Sequence, residues 1–154
     1  LHFYQNKEDT KTTQKLAKES IVHFWKGDID LISTAASSGY EIVNSLHSFT
    51  YLDYKYKNLP LSKAYSFDPI PKKLDKKYHD KIIGLGAQMW GEWIPTNGEM
   101  HFRVFPRIAA YAEIGWTKNE NKNFKSFKLA LKNLQKRWKK KGIYFADEEF
   151  VEKK

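Results

Sequence analysis

The chain has 154 residues, of which 41% are hydrophobic and 16% aromatic, a composition typical of a globular protein rather than a disordered one. It contains no cysteine, which excludes disulfide bonds and thiolate metal sites but does not assign a cellular compartment. No apolar run approaches the ~20 residues that a transmembrane helix needs, so no membrane span is expected. The formal net charge of +9 makes an anionic partner one hypothesis, against the ordinary interpretation that lysines cover solvated helix surfaces.

The first structured segment is predicted to be a strand followed by a helix. A polar, helix-compatible stretch at 11–18 leads into the run IVHFW at 21–25, whose β-branched and aromatic residues are typical of a short buried strand. Asp28 is predicted to cap the helix that follows, and Gly39 is predicted to end it. A second strand is predicted at 40–46.

A long connection rich in proline and lysine follows this second strand, and loops of such length usually carry function. A short helix is predicted at 74–80. The run IIGLGAQMW at 82–90 then predicts a third strand that is buried on both faces, with Gly84 and Gly86 allowing close packing or a bend.

Two helices are predicted after the third strand. The first covers 100–117, with Pro106 near its first turn. Its packed face is predicted from the spacing of Ile108, Ala112 and Trp116. The second begins near Asn123 and ends at Gly142. Its buried face is predicted to consist of Phe127, Leu131, Leu134 and Trp138, with lysines on the opposite side.

This order of elements predicts parallel strands joined by right-handed crossovers, and therefore an α/β fold. Three parallel strands that are buried on both faces cannot close a barrel by themselves. An edge of such a sheet has to be covered by another part of a protein, so we expect the chain to be a piece of a larger α/β domain.

Candidate functional residues lie where the predicted strands end, which is where β/α barrels carry their sites. Trp25 ends the first strand, Tyr51 and Asp53 follow the second, and Trp90 and Glu92 follow the third. Aromatic faces beside carboxylates suit a sugar, because pyranose C–H groups stack on indole rings while hydroxyls donate to ionised oxygens. Each residue alone is a weak signal, since a tryptophan at the end of a buried strand is more often part of a core.

Six segments taken together resemble glycoside hydrolase family 20, the β-N-acetylhexosaminidases, from about residue 20 to residue 144. They are IVHFWKG at 21–27, GYEIV at 39–43, YLD at 51–53, AYSFDP at 64–69, QMWGE at 88–92 and FPRIAAYAE at 105–113. The resemblance implies that residues 1–154 form the C-terminal part of a (β/α)8 TIM barrel, about its last three β/α units with C-terminal helices.

The resemblance also implies a retaining mechanism in which the 2-acetamido oxygen of the substrate attacks its own anomeric carbon. Tyr51 would then donate its hydroxyl to the acetamido carbonyl. Trp25 and Trp90 would form walls around the acetamide methyl, while Asp53 and Glu92 would bind sugar hydroxyls. The implied partners are glycans that contain N-acetylhexosamine, and no cofactor is expected. An extracellular, cell-surface or periplasmic bacterial location is compatible with this, although the sequence leaves the compartment open.

The departures from the family pattern concern catalysis. The adjacent Asp–Glu pair that orients the acetamide and protonates the leaving oxygen belongs to an earlier strand of the family barrel. Asp147-Glu148 follows the last helix and cannot replace it. A loop tryptophan common in the family has no counterpart between Asp53 and Tyr65. We therefore expect this chain to be inactive alone and to need the missing N-terminal part of the barrel as its partner.

Two other hypotheses remain open. A basic module could bind nucleic acid or another anionic polymer through residues 122–141 and the stretch at 54–57, although no nucleic-acid motif is present. Alternatively, a half-barrel could associate with itself over its open edge.

The histidines show no metal-ligand spacing, so no metal site is expected. Arg107 and Glu113 are predicted to make structural contacts rather than to touch substrate.

Overall fold

The computed structural model describes residues 16–152. Three strands and seven α-helices lie in this part of the chain. They are β1 (Ile21–Phe24), α1 (Asp30–Ser37), β2 (Glu41–Asn44), α2 (His47–Thr50), α3 (Leu61–Tyr65), β3 (Ile82–Leu85), α4 (Asn97–Val104), α5 (Arg107–Trp116), α6 (Phe124–Lys140) and α7 (Glu148–Val151). Two 3₁₀ helices occupy Lys76–Lys81 and Asn119–Asn121. Within the described residues, no helix combines the length and the apolar character that crossing a bilayer requires.

The described residues form two compact units. The first comprises residues 16–47 and 69–86, and the second comprises residues 48–68 and 87–152. The predicted polar stretch at 11–18 lies mostly outside the described residues.

The first unit is a parallel sheet of three strands in the order β1-β2-β3, as the sequence predicts. Ile21 pairs with Glu41, and Ile42 pairs with Ile82. The helix α1 connects the first two strands and packs against β2. The apolar core of this unit consists of Phe24, Ile32, Ala36, Ile42 and Leu74.

Both predicted ends of α1 agree with the structure. Gly39 has a φ of +93°, a conformation that suits glycine because it has no Cβ. The helix begins after Ile29, which makes no side-chain capping bond. Asp28 makes the capping contact instead: Ile29 already has helical φ and ψ angles of −60° and −24°, and Asp28 Oδ1 accepts a hydrogen bond from the N–H of Asp30 at 3.0 Å.

The third strand is shorter and more exposed than predicted. It ends at Leu85 instead of residue 90, and Ile83 is 47% exposed. Within the described residues β3 pairs on one side only, because β2 is its single neighbour in the sheet. The predicted helix at 74–80 is a 3₁₀ helix at Lys76–Lys81, with the Asp75 side chain accepting from the N–H of Lys77.

The second unit is built on helices. Its core is a cluster of aromatic and aliphatic side chains from α3, α5, α6 and the flanking segments: Tyr56, Leu61, Tyr65, Ala110, Phe127, Leu131, Ala146 and Val151. The prediction for α6 is confirmed. The Asn123 side chain accepts a hydrogen bond from the N–H of Ser126 at 3.0 Å, and Gly142 follows the helix with a φ of +69°. Leu134 and Trp138 pack against the cluster.

The predicted single helix at 100–117 is two helices. Proline has no N–H to donate, and α4 ends at Val104 while α5 begins at Arg107, with a cis peptide bond between Phe105 and Pro106. The predicted packed face is also wrong, because Trp116 is 93% exposed. The buried residues of α5 are Arg107, Ala110, Tyr111 and Ile114. Alanines lie on several sides of α5, so helical spacing alone could not identify the buried side.

The structural role predicted for two charged residues of α5 agrees with the contacts they make. Glu113 accepts a hydrogen bond from the Tyr65 hydroxyl at 2.7 Å. Burial and this carboxylate raise the pKa of Tyr65 to about 12, so its hydroxyl remains a donor at neutral pH. Arg107 is fully buried and binds backbone carbonyl oxygens. The short helices α3 and α7 were not predicted, because neither is long enough to show a helical period.

Candidate sugar-binding site

A short backbone pairing in the second unit brings two candidate segments together. Tyr51 and Gln88 form an isolated parallel bridge, and the N–H of Leu52 donates to the Gln88 carbonyl at 2.7 Å. The Thr50 hydroxyl also lies 3.3 Å from Gln88 Oε1. These contacts hold the chain around Tyr51 beside the chain that leads to Trp90.

Aromatic rings form one side of this site. Tyr51 is buried, and its ring centroid lies 6.2 Å from that of Trp90, with the ring planes inclined at 46°. Trp90 is 44% exposed, so part of its indole remains available to a ligand. The Tyr54 ring also contacts Tyr51, with a centroid distance of 5.8 Å. Tyr54 was not predicted as a site residue, although its position directly after Tyr51-Leu52-Asp53 is a usable signal.

Asp53 supplies a carboxylate whose hydrogen bonds and charge are only partly satisfied by neighbouring groups. Its Oδ1 is buried and has no hydrogen-bond partner among the residues that the structure describes. Loss of hydration raises the pKa of Asp53, and the negative charge of Glu92 raises it further. The backbone N–H groups of Asp53 and Trp90 and the positive charge of Arg107 act in the opposite direction on this pKa. Desolvation is the largest of these effects, so the net shift is upward.

Glu92 lies close enough to Asp53 for its negative charge to raise the pKa of Asp53. Glu92 itself is exposed. Burial raises the pKa of Tyr54, and the charge of Asp53 adds to this effect. An unpaired carboxylate oxygen beside an exposed indole can accept a hydrogen bond from a hydroxyl while the indole packs on an apolar face. Four of the five predicted site residues, Tyr51, Asp53, Trp90 and Glu92, belong to the second unit, and a ring contact joins Tyr51 to Trp90.

Trp25, the fifth predicted residue, belongs to the first unit. It follows β1 directly, is partly buried, and its carbonyl accepts from the N–H of His47 at 2.8 Å. Lys26 Nζ lies 5.9 Å from the centroid of its ring. Trp25 also lines a cavity of about 210 Å³ together with apolar residues of β1 and α1 and the side chain of Tyr40.

No group of three or more histidine, aspartate or glutamate side chains within residues 16–152 has the arrangement of a metal site. The chemistry of the site in the second unit is that of hydroxyl, carboxylate and aromatic groups.

The parallel strands and helices match part of the (β/α)8 barrel of known glycoside hydrolases, which confirms the predicted fold class. The chain belongs to glycosyl hydrolase family 20: the pattern of that family's catalytic domain matches residues 4–119. This confirms the family resemblance read from the sequence motifs.

Two relatives illustrate the similarity in sequence. A β-hexosaminidase of Porphyromonas gingivalis is 28% identical over 141 residues, which are 84% of this chain and 18% of the relative. A β-N-acetylhexosaminidase of Cellulomonas fimi is 27% identical over 121 residues, or 70% of this chain and 24% of the relative. The chain thus spans about a fifth to a quarter of the length of these two relatives.

Solved structures show the same similarity in fold. A chitobiase of Flavobacterium johnsoniae is 31% identical and aligns with a TM-score of 0.71 over 85% of this chain and 20% of its own. A family 20 β-N-acetylhexosaminidase of Streptomyces coelicolor is 22% identical and aligns with a TM-score of 0.78 over 91% of this chain and 32% of its own.

Proposed function

We propose that residues 1–154 are the C-terminal part of a family 20 catalytic domain and supply one side of its sugar site. The complete protein would hydrolyse terminal β-linked N-acetylglucosamine or N-acetylgalactosamine. The observation that carries this proposal is the meeting of Tyr51, Asp53 and Trp90, with Asp53 Oδ1 buried and unpaired among the described residues. The relatives support the substrate class, since their names describe β-N-acetylhexosaminidases and one solved relative, from Vibrio harveyi, holds N-acetylglucosamine.

Each residue has a role that follows from its chemistry. The Tyr51 hydroxyl donates to the acetamido carbonyl, which holds that oxygen in position for attack on the anomeric carbon and stabilises the charge that develops. Trp90 packs against the apolar part of the bound sugar. Asp53 and Glu92 accept hydrogen bonds from sugar hydroxyls.

Proton transfer to the leaving oxygen needs an acid, and in this proposal the carboxyl groups of Asp53 and Glu92 bind sugar hydroxyls instead. The only adjacent Asp–Glu pair in the sequence is Asp147-Glu148, and Glu148 begins the short helix α7. We therefore propose that the proton donor belongs to a part of the catalytic domain outside this chain, and that the chain alone has negligible activity.

A hybrid enzyme tests this proposal. The present chain would replace the corresponding segment of the Porphyromonas gingivalis β-hexosaminidase, with 4-nitrophenyl N-acetyl-β-D-glucosaminide as the substrate. We expect the hybrid to release nitrophenol and the isolated chain to release none above background. Tyr51→Phe in the hybrid should lower kcat by roughly 10²–10³-fold, the usual effect of removing one hydrogen-bond donor to developing charge.

Tyr144→Phe is the matched control, because Tyr144 is 57% exposed and the change removes the same hydroxyl group. Its kcat should equal that of the unsubstituted hybrid. Turnover by the isolated chain, or a Tyr51→Phe hybrid with unchanged kcat, would contradict the proposal.

A further inference from the structure

The Arg107 guanidinium is fully buried in the second unit, and it donates five hydrogen bonds to backbone carbonyls. Nη2 donates to the Leu52 carbonyl at 2.6 Å, and Nη1 donates to the Tyr54 carbonyl at 2.8 Å. Nη1 also reaches the Leu59 carbonyl at 3.3 Å. Nε and Nη2 donate to the Arg103 carbonyl at 3.0 and 2.6 Å.

Carbonyl dipoles and an aromatic ring contact this cation, and its charge also interacts with that of the Asp53 carboxylate. The Tyr56 ring lies 4.4 Å from the Arg107 Cζ atom, in the arrangement of a cation–π contact. The Tyr56 hydroxyl donates to the carbonyls of Phe102 and Phe105, which holds the ring in place. Burial lowers the pKa of Arg107, but a guanidinium remains protonated in proteins.

A second arginine extends the same set of contacts. Arg103 Nη1 donates to the Asp53 carbonyl at 3.3 Å. Arg103 is itself held by Glu99, whose Oε1 lies 2.7 Å from both Nε and Nη2 of the guanidinium. Three consecutive carbonyls, those of Leu52, Asp53 and Tyr54, therefore accept hydrogen bonds from these two arginines.

These bonds restrict the backbone on both sides of one candidate residue. The carbonyl of Leu52 belongs to the peptide unit before Asp53, and the carbonyl of Asp53 belongs to the unit after it. With both peptide units held, the φ and ψ angles of Asp53 have little freedom, so the direction of its Cα–Cβ bond is set. The guanidinium fork suits this task, because its planar donors have fixed directions that a lysine ammonium lacks.

We propose that Arg107 is a positioning residue of the sugar site and that it acts through Asp53. This inference rests on the proposed function. The arginine does not touch the sugar: it holds the peptide unit before Asp53 and the carbonyl of Tyr54, while Arg103 holds the carbonyl of Asp53, so that the Asp53 carboxylate is oriented before the substrate arrives. Displacement of a site group by about 1 Å can lower a rate roughly 10²-fold, so such pre-orientation has a measurable effect.

A double-mutant cycle in the hybrid enzyme separates positioning from a general contribution to folding. Arg107→Lys keeps the charge but loses the fork, and should lower kcat/KM by roughly 10²-fold. Asp53→Asn should also lower kcat/KM. If Arg107 acts through Asp53, adding Arg107→Lys to Asp53→Asn should lower kcat/KM by less than threefold. An equal loss in both backgrounds would indicate general destabilisation and would overturn the proposal.

Arg137→Lys is the matched control, because Arg137 lies exposed on α6. It should leave kcat/KM unchanged in both backgrounds. Circular dichroism establishes that each variant is folded before its kinetics are compared.

A measurement on the unsubstituted chain keeps the proposal falsifiable if Arg107→Lys does not fold. In ¹⁵N NMR spectra of the 154-residue chain, the Arg107 Nε–H should exchange with solvent at least tenfold more slowly than that of Arg137. Equally rapid exchange would overturn the proposal, because a guanidinium bound to buried carbonyls cannot be open to water.

The two proposals fail in different ways. An active hybrid in which Arg107→Lys is folded and fully active removes the positioning role and leaves the proposed function standing. A folded hybrid without hydrolysis removes the proposed function, and the positioning role with it, even if the exchange of the Arg107 Nε–H is slow.

Discussion

The Asp53 side chain has incomplete hydrogen bonding, and this is what makes it a candidate binding residue. One carboxylate oxygen is buried without a partner among the described residues, and loss of hydration is the main cause of its raised pKa. A buried carboxylate normally has hydrogen-bond partners, because leaving a polar group unpaired away from water is unfavourable. A sugar hydroxyl would supply the missing donor. The unfavourable burial is thus consistent with a binding residue.

The raised pKa of Asp53 predicts how the stability of the chain depends on pH. Between the ordinary aspartate pKa of 3.8 and the higher pKa of Asp53 in the folded state, the folded chain binds more protons at Asp53 than the unfolded chain does. Its contribution to stability is therefore most favourable below 3.8 and is lost as the pH rises through the folded pKa. Asp53→Asn should raise the free energy of unfolding at pH 7, and this gain should disappear below pH 3.8.

Urea unfolding between pH 3 and pH 7 measures this difference. Asp75→Asn is a control for which the change in stability should have the opposite sign. Asp75 accepts a hydrogen bond from the N–H of Lys77 and interacts with the Lys77 ammonium. Both contacts lower the pKa of Asp75. Its substitution should lower stability at neutral pH, with the difference lost as the pH falls through the lowered pKa. A gain from Asp53→Asn that grows with acidification would show that burial does not dominate at Asp53.

At the scale of elements, α6 shows how one helix separates a packed face from a solvated one. Phe127 and Leu131 are buried in the core of the second unit, whereas most lysines of the helix are exposed. Leu129 is 61% exposed although it lies only two positions from Leu131. Two positions in an α-helix are about 200° apart, so neighbouring leucines face opposite environments.

This difference predicts unequal effects for the same chemical change. Leu131→Ala should lower the free energy of unfolding by about 2–5 kcal/mol, because it removes buried methyl groups and leaves a cavity. Leu129→Ala should change it by less than about 0.5 kcal/mol, as is usual for surface positions. Chemical unfolding monitored by circular dichroism measures both values. Similar losses for the two variants would mean that α6 packs through a different face.

The boundaries and buried faces of some helices can be predicted from their sequences, whereas those of others cannot. The boundaries of α6 are readable because Asn123 caps it, Gly142 follows it, and its apolar residues recur at helical spacing. The division between α4 and α5 depends on Pro106, which the sequence shows but which suits either a first turn or a break. The buried side of α5 depends on which neighbours are present, and no local pattern contains that information.

At the scale of the whole molecule, the parallel sheet of the first unit has exposed outer strands. Ile21 on β1 and Ile83 on β3 are each 47% exposed. Parallel sheets are normally covered, and unpaired strand edges favour association with other chains. The prediction that the isolated chain self-associates over these edges follows from the same physical argument.

Light scattering tests this prediction. The 154-residue chain should form dimers or larger species, and Ile83→Lys should shift it towards the monomer by placing a charge on an outer strand. Leu129→Lys is the matched control, because it places the same charge at an exposed leucine on a helix. A monomeric chain at all concentrations, or equal effects of both substitutions, would remove strand edges as the cause of association.

The sequence by itself determined the order of the three strands, the limits of α6, the family, and the residue types of the candidate site. Those features depend on local periodicity, capping and short motifs, which are contained in neighbouring residues. Only the tertiary structure decided the exposed face of α5, the length of β3, the unpaired oxygen of Asp53 and the carbonyl contacts of Arg107. Each of these depends on groups that are distant in the sequence, since burial and hydrogen-bond partners are set by packing rather than by local pattern.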